Sequence, residues 1–180
     1  MMTKQIFFLV FAASLMLSAT DSVAQFSVGA ELALPAGNFS NSSNPGIGAS
    51  VRYEASLVEK LNWTASAGVL IFSGKSYLGG AYGNFSIIPL VGGVKYYFMD
   101  ANDGVYAAAD LGLYIINYSV AYPNQGNGKG VTFGSANTAR IGFAPGIGYR
   151  IGSWDFTGRI NVMSDFNYPG VRAAYVFGSK

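Results

Sequence analysis

The amino-acid sequence predicts an all-β fold, an eight-stranded antiparallel up-and-down transmembrane β-barrel preceded by a cleaved signal peptide. Three observations lead to this prediction. The chain opens with a short apolar segment of the kind found in secretory signals. The remainder alternates apolar with small or polar residues in segments of about ten residues. The connections between these segments alternate long and short, as they do in outer-membrane barrels.

The N-terminus has the three parts of a signal peptide. Lys4 supplies a positive charge, residues Ile6–Leu17 form the apolar stretch, and Ser22–Ala24 supplies small residues for a signal peptidase. The apolar stretch is short and lacks the basic flank of a membrane anchor, so cleavage after Ala24 is expected. The predicted division is a signal peptide at residues 1–24 and one outer-membrane β-barrel domain at residues 25–180.

The overall composition favours a lipid-facing surface over a water-facing one. Only 11% of the residues are charged, whereas 51% are hydrophobic. After the N-terminus no apolar run reaches the roughly 20 residues of a spanning helix, so a membrane would have to be crossed by strands. The formal net charge is only +2 and the basic residues are scattered, which argues against a nucleic-acid partner.

Segments with a two-residue period account for most of the mature region. In the first segment Val28 and Leu32 share one face, and Glu31 lies on the other. We expect strand one to pair with strand eight, because an open edge would leave unpaired backbone groups in hydrocarbon. The predicted strands are Phe26–Leu34, Ile47–Leu57, Leu61–Phe72, Phe85–Phe98, Val105–Ile115, Thr138–Ile151, Trp154–Val162 and Val171–Phe177.

Charged residues provide a test of these faces, which are assigned from apolar residues alone. Every charge within the predicted strands falls on the face of small and polar residues. Such a face suits a narrow lumen, where opposite charges should pair because an isolated buried charge is costly. The predicted lumen charge network is Glu31, Arg52, Glu54, Lys95, Asp110, Arg140, Arg150, Asp155, Arg159 and Arg172. Six basic minus four acidic residues leaves two positive charges in excess.

Large aromatic residues recur on the apolar face where the strands approach the short turns or the chain termini. Amphipathic rings are typical of the level at which a membrane meets water. The predicted interface aromatics are Phe26, Trp63, Tyr96, Phe98, Tyr149, Trp154, Tyr175 and Phe177. They indicate a girdle on the periplasmic side of the barrel.

The long connections are predicted at residues 35–46, 73–84 and 116–137, and they are rich in Gly, Asn, Ser and Tyr. The short turns are predicted at 58–60, 99–104 and 152–153. An even strand number places both termini on the side of the short turns. The candidate contact residues on the outer side are Tyr77, Tyr82, Tyr118 and Tyr122.

No catalytic, cofactor or metal site is predicted. The chain contains no His and no Cys, so it lacks the base of a Ser-His hydrolase and the thiolates of a zinc site. The acidic turn of Asp100, Asn102 and Asp103 lacks the further ligands of a calcium loop. The segment Gly126–Gly130 lacks the Ser or Thr and the helix of a phosphate loop, which favours an outer loop.

Three segments carry a resemblance to a known family: Ile88–Phe98, Ala144–Arg150 and Val171–Phe177. With these patterns the chain resembles the small, porin-family outer-membrane β-barrel proteins common in Bacteroidota-type Gram-negative bacteria. These are related in architecture to the OmpX, OmpA-barrel and OmpW types. The resemblance implies insertion by an assembly machinery that recognises a terminal aromatic residue. Here Tyr175 and Phe177 would serve, although three residues follow Phe177.

These features favour a non-enzymatic barrel with a lumen largely filled by side chains and with outer loops for structural or interaction roles. A narrow channel for small solutes or hydrophobic molecules is the first alternative, because many inward residues are glycines. A soluble periplasmic, lipocalin-like barrel is the second. The expected partners are outer-membrane lipid and lipopolysaccharide, with the assembly machinery during insertion, and a monomer is expected.

Overall fold

A closed barrel of eight antiparallel strands is seen in the computed structural model, which describes residues 24–75, 82–99, 102–122 and 131–178. The strands are β1 Gln25–Ala33, β2 Ser43–Val58, β3 Leu61–Gly74, β4 Tyr82–Tyr97, β5 Gly104–Tyr122, β6 Val131–Ile151, β7 Trp154–Met163 and β8 Tyr168–Phe177. One short helix, α1 Asn38–Ser42, follows β1. The predicted fold class is confirmed. Of the predicted signal peptide, all but Ala24 lies outside the described residues.

The barrel closes between its first and last strands. Phe26 pairs with Phe177 and Ala33 pairs with Gly170, in antiparallel register. Every other pair of neighbours in the barrel is also consecutive in the chain. Closure gives both edges of the sheet a hydrogen-bonding partner, which is the condition for placing a sheet in hydrocarbon.

Alternation along the strands places the buried charges inside the barrel and most of the large apolar residues of its wall outside. In β1 every second residue is buried, so that Glu31 is only 6% exposed while Leu32 is 56% exposed. Likewise Arg52 is 1% exposed, whereas Ile141 is 72% exposed. A water-soluble protein buries its apolar side chains, so this barrel has the inverted arrangement expected of a wall surrounded by lipid.

The short turns lie at one end of the barrel, together with the start of β1 and the end of β8. The two-residue turn between β6 and β7 begins at Gly152, whose φ of +54° lies in the left-handed region. Glycine adopts this value without the steric penalty that a Cβ would bring, and it allows a tight hairpin. No helix in the described part of the chain is both long and apolar enough to cross a membrane.

At the other end the strands continue into segments that the sequence suggested would be loops. The predicted loop 116–137 is wrong for much of its length, because β5 runs to Tyr122 and β6 begins at Val131. These two strands remain paired up to Tyr122 and Val131, whereas β6 and β7 pair only as far as Gly142 and Met163. The β5–β6 ladder continues past the point at which its outward side chains change from apolar to polar. Periodicity of hydrophobicity therefore underestimated its length.

Candidate functional site

The lumen near the short turns is organised around the ammonium group of Lys95. Its Nζ lies 2.8 Å from Glu54 Oε2 and also forms an ion pair with Asp155 Oδ2. These three residues come from β4, β2 and β7, so the ion pairs cross the lumen instead of following one strand. All three side chains are buried.

Neutral side chains complete the hydrogen bonding of Glu54. Asn62 Nδ2 donates to Glu54 Oε1 at 2.7 Å, and the Tyr97 hydroxyl donates to the same oxygen at 2.9 Å. Asn62 also hydrogen bonds to Asn102 in the neighbouring turn. Because a buried carboxylate is stable only when its oxygens are paired, these donors hold Glu54 in place as a charged acceptor.

A similar set of donors surrounds Asp155. The Tyr106 hydroxyl donates to Asp155 Oδ1 at 2.6 Å, and Thr157 Oγ1 donates to it at 2.9 Å. Lys95 Nζ also lies 4.3 Å from the centroid of the Tyr106 ring, close enough for a cation–π contact. Tyr106 was not among the predicted lumen residues, although it occupies the same inward face as Asp110.

A second cluster lies deeper in the lumen and contains three guanidinium groups. Arg52 Nη2 is 2.9 Å from Asp110 Oδ2, and Arg159 Nη1 is 3.6 Å from the same oxygen. Arg159 Nη2 is 2.6 Å from Glu31 Oε2, and Arg172 Nε is 3.9 Å from Glu31 Oε1. The two carboxylates therefore each bridge two arginines, and the cluster links β1, β2, β5, β7 and β8.

Arg172 is held mainly by serines. Its Nε donates to Ser50 Oγ at 2.9 Å and its Nη2 donates to Ser27 Oγ at 3.0 Å. To reach them the side chain passes over Gly29, where an added Cβ would lie 3.0 Å from Arg172 Nε. Small inward residues on β1 and β2 thus provide the space for a long cation.

Arg140 and Arg150 differ from the other predicted cations. Arg140 is half-buried and its Nη1 donates to Thr138 Oγ1 at 2.9 Å. Arg150 is buried, and its Nε donates to the Gly152 carbonyl oxygen at 3.3 Å. Neither forms an ion pair within the described ranges. Arg140 lies toward the long loops and Arg150 toward the short turns, so the two surplus charges lie at opposite ends.

An apolar cluster lies inside the barrel at the end of the long connections. Its centre is Phe39 of α1, which is 2% exposed and contacts the rings of Phe72, Phe85 and Phe166 at centroid distances of 5.1, 5.5 and 5.4 Å. The other buried members are Ala33, Leu70, Ile87, Val91, Tyr114, Ile116, Met163 and Tyr168. We refer to this set as the apolar cap.

The sequence contained a signal for part of the apolar cap. Leu70 and Phe72 continue the inward alternation of Asn62 and Thr64 along β3, so their burial followed from the period. Phe39 had no comparable signal, because it lies in a connection where no strand period applies. Its burial depends on α1 folding back over the mouth of the barrel.

The predicted interface aromatics all lie on the outer face of the barrel or at its rim near the short turns. Several form chains of ring contacts, such as Trp154 with Tyr175 at 5.6 Å and Tyr175 with Phe177 at 5.1 Å. Phe26 contacts Tyr53, and Tyr53 contacts Trp63 at 5.1 Å. The remaining ones, Tyr96, Phe98 and Tyr149, are exposed to a similar extent. Tyr53 was not predicted as a member.

Other predicted features fall partly outside the described residues. These are Tyr77, Asp100, the segment 126–130 and the side chains of Tyr82 and Tyr122. The fourth candidate contact tyrosine, Tyr118, packs on Phe85 with ring centroids 4.6 Å apart. Within the described ranges, no three carboxylates are grouped so that they could hold a metal ion.

Comparison with known proteins identifies the fold. No family model matches the sequence, and the search of curated proteins finds no match. Among solved structures, Ail, the attachment invasion locus protein of Yersinia pestis, in complex with the heparin analogue sucrose octasulfate, is similar with a TM-score of 0.57. It is 11% identical, and the match covers 86% of this chain and 97% of Ail.

Two further structures give the same result. Neisserial surface protein A matches with a TM-score of 0.54 and 14% identity, over 87% of this chain and 97% of its own. A major outer membrane protein from Thermus thermophilus matches with a TM-score of 0.53 and 15% identity, over 86% of this chain and 99% of its own. At these identities the comparison concerns the fold. The chain has the fold of small outer-membrane β-barrels.

Proposed function

We propose that this chain is an integral protein of a bacterial outer membrane. Residues 1–24 would direct its export as a cleaved signal peptide, and residues 25–180 would insert as the barrel domain. The observation that carries the proposal is the inverted barrel, with apolar side chains outside and ion pairs inside. The narrower resemblance to Bacteroidota-type porin-family proteins is part of the same proposal.

The height of the apolar outer surface supports this location. On β5 the outward residues from Val105 to Ile115 are all apolar. Ten steps of about 3.3 Å give roughly 33 Å along the strand, or about 25 Å along the barrel axis at a tilt of about 40°. This value matches the apolar band of outer-membrane barrels, which is about 25 Å tall.

The side chains that meet across the lumen support a non-enzymatic role and a lumen largely filled by side chains. An eight-stranded barrel has an interior just wide enough for side chains. Here the Lys95 cluster, the three-arginine cluster and the apolar cap follow one another along the axis. A solute on this path would have to separate buried ion pairs, and breaking one such pair costs about 3–5 kcal/mol.

The end with the long connections supports an interaction role. The β5–β6 hairpin extends beyond β7, so residues 131–141 of β6 pair with β5 on one side and lack a β7 partner on the other, as far as the described residues show. An exposed strand edge can accept a strand from another protein. The partners we propose are therefore extracellular molecules at this end, membrane lipid and lipopolysaccharide around the wall, and the assembly machinery during insertion of a monomer.

The test combines fractionation with electrophoresis and conductance. We expect the mature protein in the outer-membrane fraction, where it should migrate anomalously on gels until it is boiled. In planar bilayers the folded protein should remain electrically silent. Recovery in the soluble periplasm would support the lipocalin-like alternative, and stable ohmic openings would support the channel alternative.

A further inference from the structure

The outer face of β4, β5 and β6 changes from apolar to polar between two adjacent rows of register partners. The last apolar row is Ile88, Ile115 and Ala139. The next row toward the long connections is Ser86, Asn117 and Asn137. Adjacent rows are two residues apart along each strand, or about 6.6 Å. The boundary of the apolar band is therefore sharp on this side of the barrel.

A groove with a volume of about 630 Å³ lies at this boundary. The side chains that line it from the outer face are Ile71, Asn84, Ser86, Asn117, Ser119 and Asn137. All but Ile71 carry a hydroxyl or an amide, and none is charged. We refer to it as the amide groove.

The amide groove retains free hydrogen-bonding capacity. Asn117 Nδ2 donates to Ser86 Oγ at 3.4 Å. The side chains of Asn84 and Asn137 are exposed and form no hydrogen bond with any other residue that the structure describes. Each asparagine offers a carbonyl acceptor and two N–H donors, the combination that pairs with a sugar hydroxyl.

We propose that the amide groove binds neutral sugar residues of a glycolipid in the outer leaflet, an inference that rests on the proposed outer-membrane location. The groove begins where the apolar band ends, which is the level at which the sugars of a glycolipid meet its acyl chains. Its uncharged lining favours hydroxyl groups over phosphate, which prefers Arg or Lys. Ile71, 57% exposed, provides an apolar surface for the C–H face of a sugar ring.

The test uses the mature protein folded into phosphatidylcholine vesicles. The vesicles contain a neutral glycosyl diacylglycerol, or consist of phosphatidylcholine alone, and the midpoint of thermal unfolding is read from the gel shift. We expect the neutral glycolipid to raise the midpoint of the wild type by about 2–4 °C over phosphatidylcholine alone. The double variant Asn84→Ala/Asn137→Ala should lose most of this gain. Asn41→Ala, an exposed asparagine on α1, should retain it.

Two results would overturn the inference while leaving the membrane location intact. One is an equal midpoint with and without the neutral glycolipid. The other is a double variant that keeps the full gain. Failure of the wild type to insert into any of the vesicles would instead contradict the proposed outer-membrane function itself, so the two failures are distinguishable.

Discussion

Lys95 illustrates how single residues determine the interior of this barrel. It lies between Glu54 and Asp155, and each of these acids is fixed by further hydroxyl or amide donors. Removing the cation would leave two carboxylates close together in a region with little water. The loss of folding free energy would come mainly from the two unpaired buried carboxylates and only secondarily from the lost ion pairs.

Replacing Lys95 by Met should therefore destabilise the folded barrel by about 3–5 kcal/mol. The matched control is Lys60→Met in the turn between β2 and β3, which removes a cation that takes part in none of the ion pairs of the described residues. Urea unfolding in lipid vesicles measures both. Equal stability of the two variants would contradict a structural role for the buried pair.

Two glycines on adjacent strands provide a second prediction. An added Cβ at Gly148, on the inner face of β6, would lie 2.2 Å from the Tyr106 ring, whereas at Gly158, on the outer face of β7, its nearest neighbour would be 3.9 Å away. Gly148→Ala should cost about 1–3 kcal/mol through overpacking, and Gly158→Ala should be tolerated. Thermal unfolding of the two variants compares them directly. A similar midpoint for both would contradict tight packing around Gly148, where the Phe156 carbonyl oxygen also lies 2.6 Å from the added Cβ.

At the scale of elements, α1 joins a connection to the core of the barrel. Only one of its residues, Phe39, is buried, and its ring contacts side chains from β3, β4 and the β7–β8 connection. A helix of five residues has little stability of its own, so its position depends on this packing. The apolar cap and α1 should consequently form or loosen together.

Phe39→Ala should remove the anchor of α1, at a cost of about 3–5 kcal/mol for a buried aromatic. Faster proteolysis within residues 34–42 would reveal the loosened segment, and Asn41→Ala is the control because Asn41 is exposed. We expect the variant to remain silent in planar bilayers, because the ion-pair clusters below still cross the lumen. Openings of steady conductance in Phe39→Ala would indicate instead that α1 is the main barrier.

At the scale of the whole molecule, the barrel needs an apolar environment around its outer surface. Large apolar side chains cover that surface from the aromatic girdle to the last apolar row, and the charges of the wall point inward. The free energy of a substitution on the outer face should therefore depend on its depth in the membrane.

Leu111 and Leu34 provide a matched pair for this dependence. Both are outward leucines of similar exposure, 59% and 55%, but Leu111 lies midway along β5 and Leu34 lies just beyond the end of β1 at the long-connection side. Leu111→Arg should cost about 2–4 kcal/mol in lipid, and Leu34→Arg about 0–1 kcal/mol. Unfolding in vesicles measures both values. Equal costs at the two depths would argue against a membrane around the wall.

Period and composition alone were enough to predict the strand number, the closed barrel, and the face on which each charge lies. These properties depend on one-dimensional alternation, which the pleat of a strand converts directly into inside and outside. The same alternation placed Arg52 and Lys95 in the lumen, and it could have placed Leu70 and Phe72 there as well.

The partner of each charge depended on the tertiary structure. Arg159 reaches Glu31 across 128 positions of sequence, and Arg150 lies opposite Asp155 in register although that carboxylate pairs with Lys95. Such choices depend on register, side-chain length and the curvature of the closed wall, none of which is encoded in a local pattern. The burial of Phe39 also depends on the tertiary structure. A connection has no strand period that would predict which of its residues are buried. Phe39 is buried because the folded barrel presents apolar side chains at this end for it to pack against.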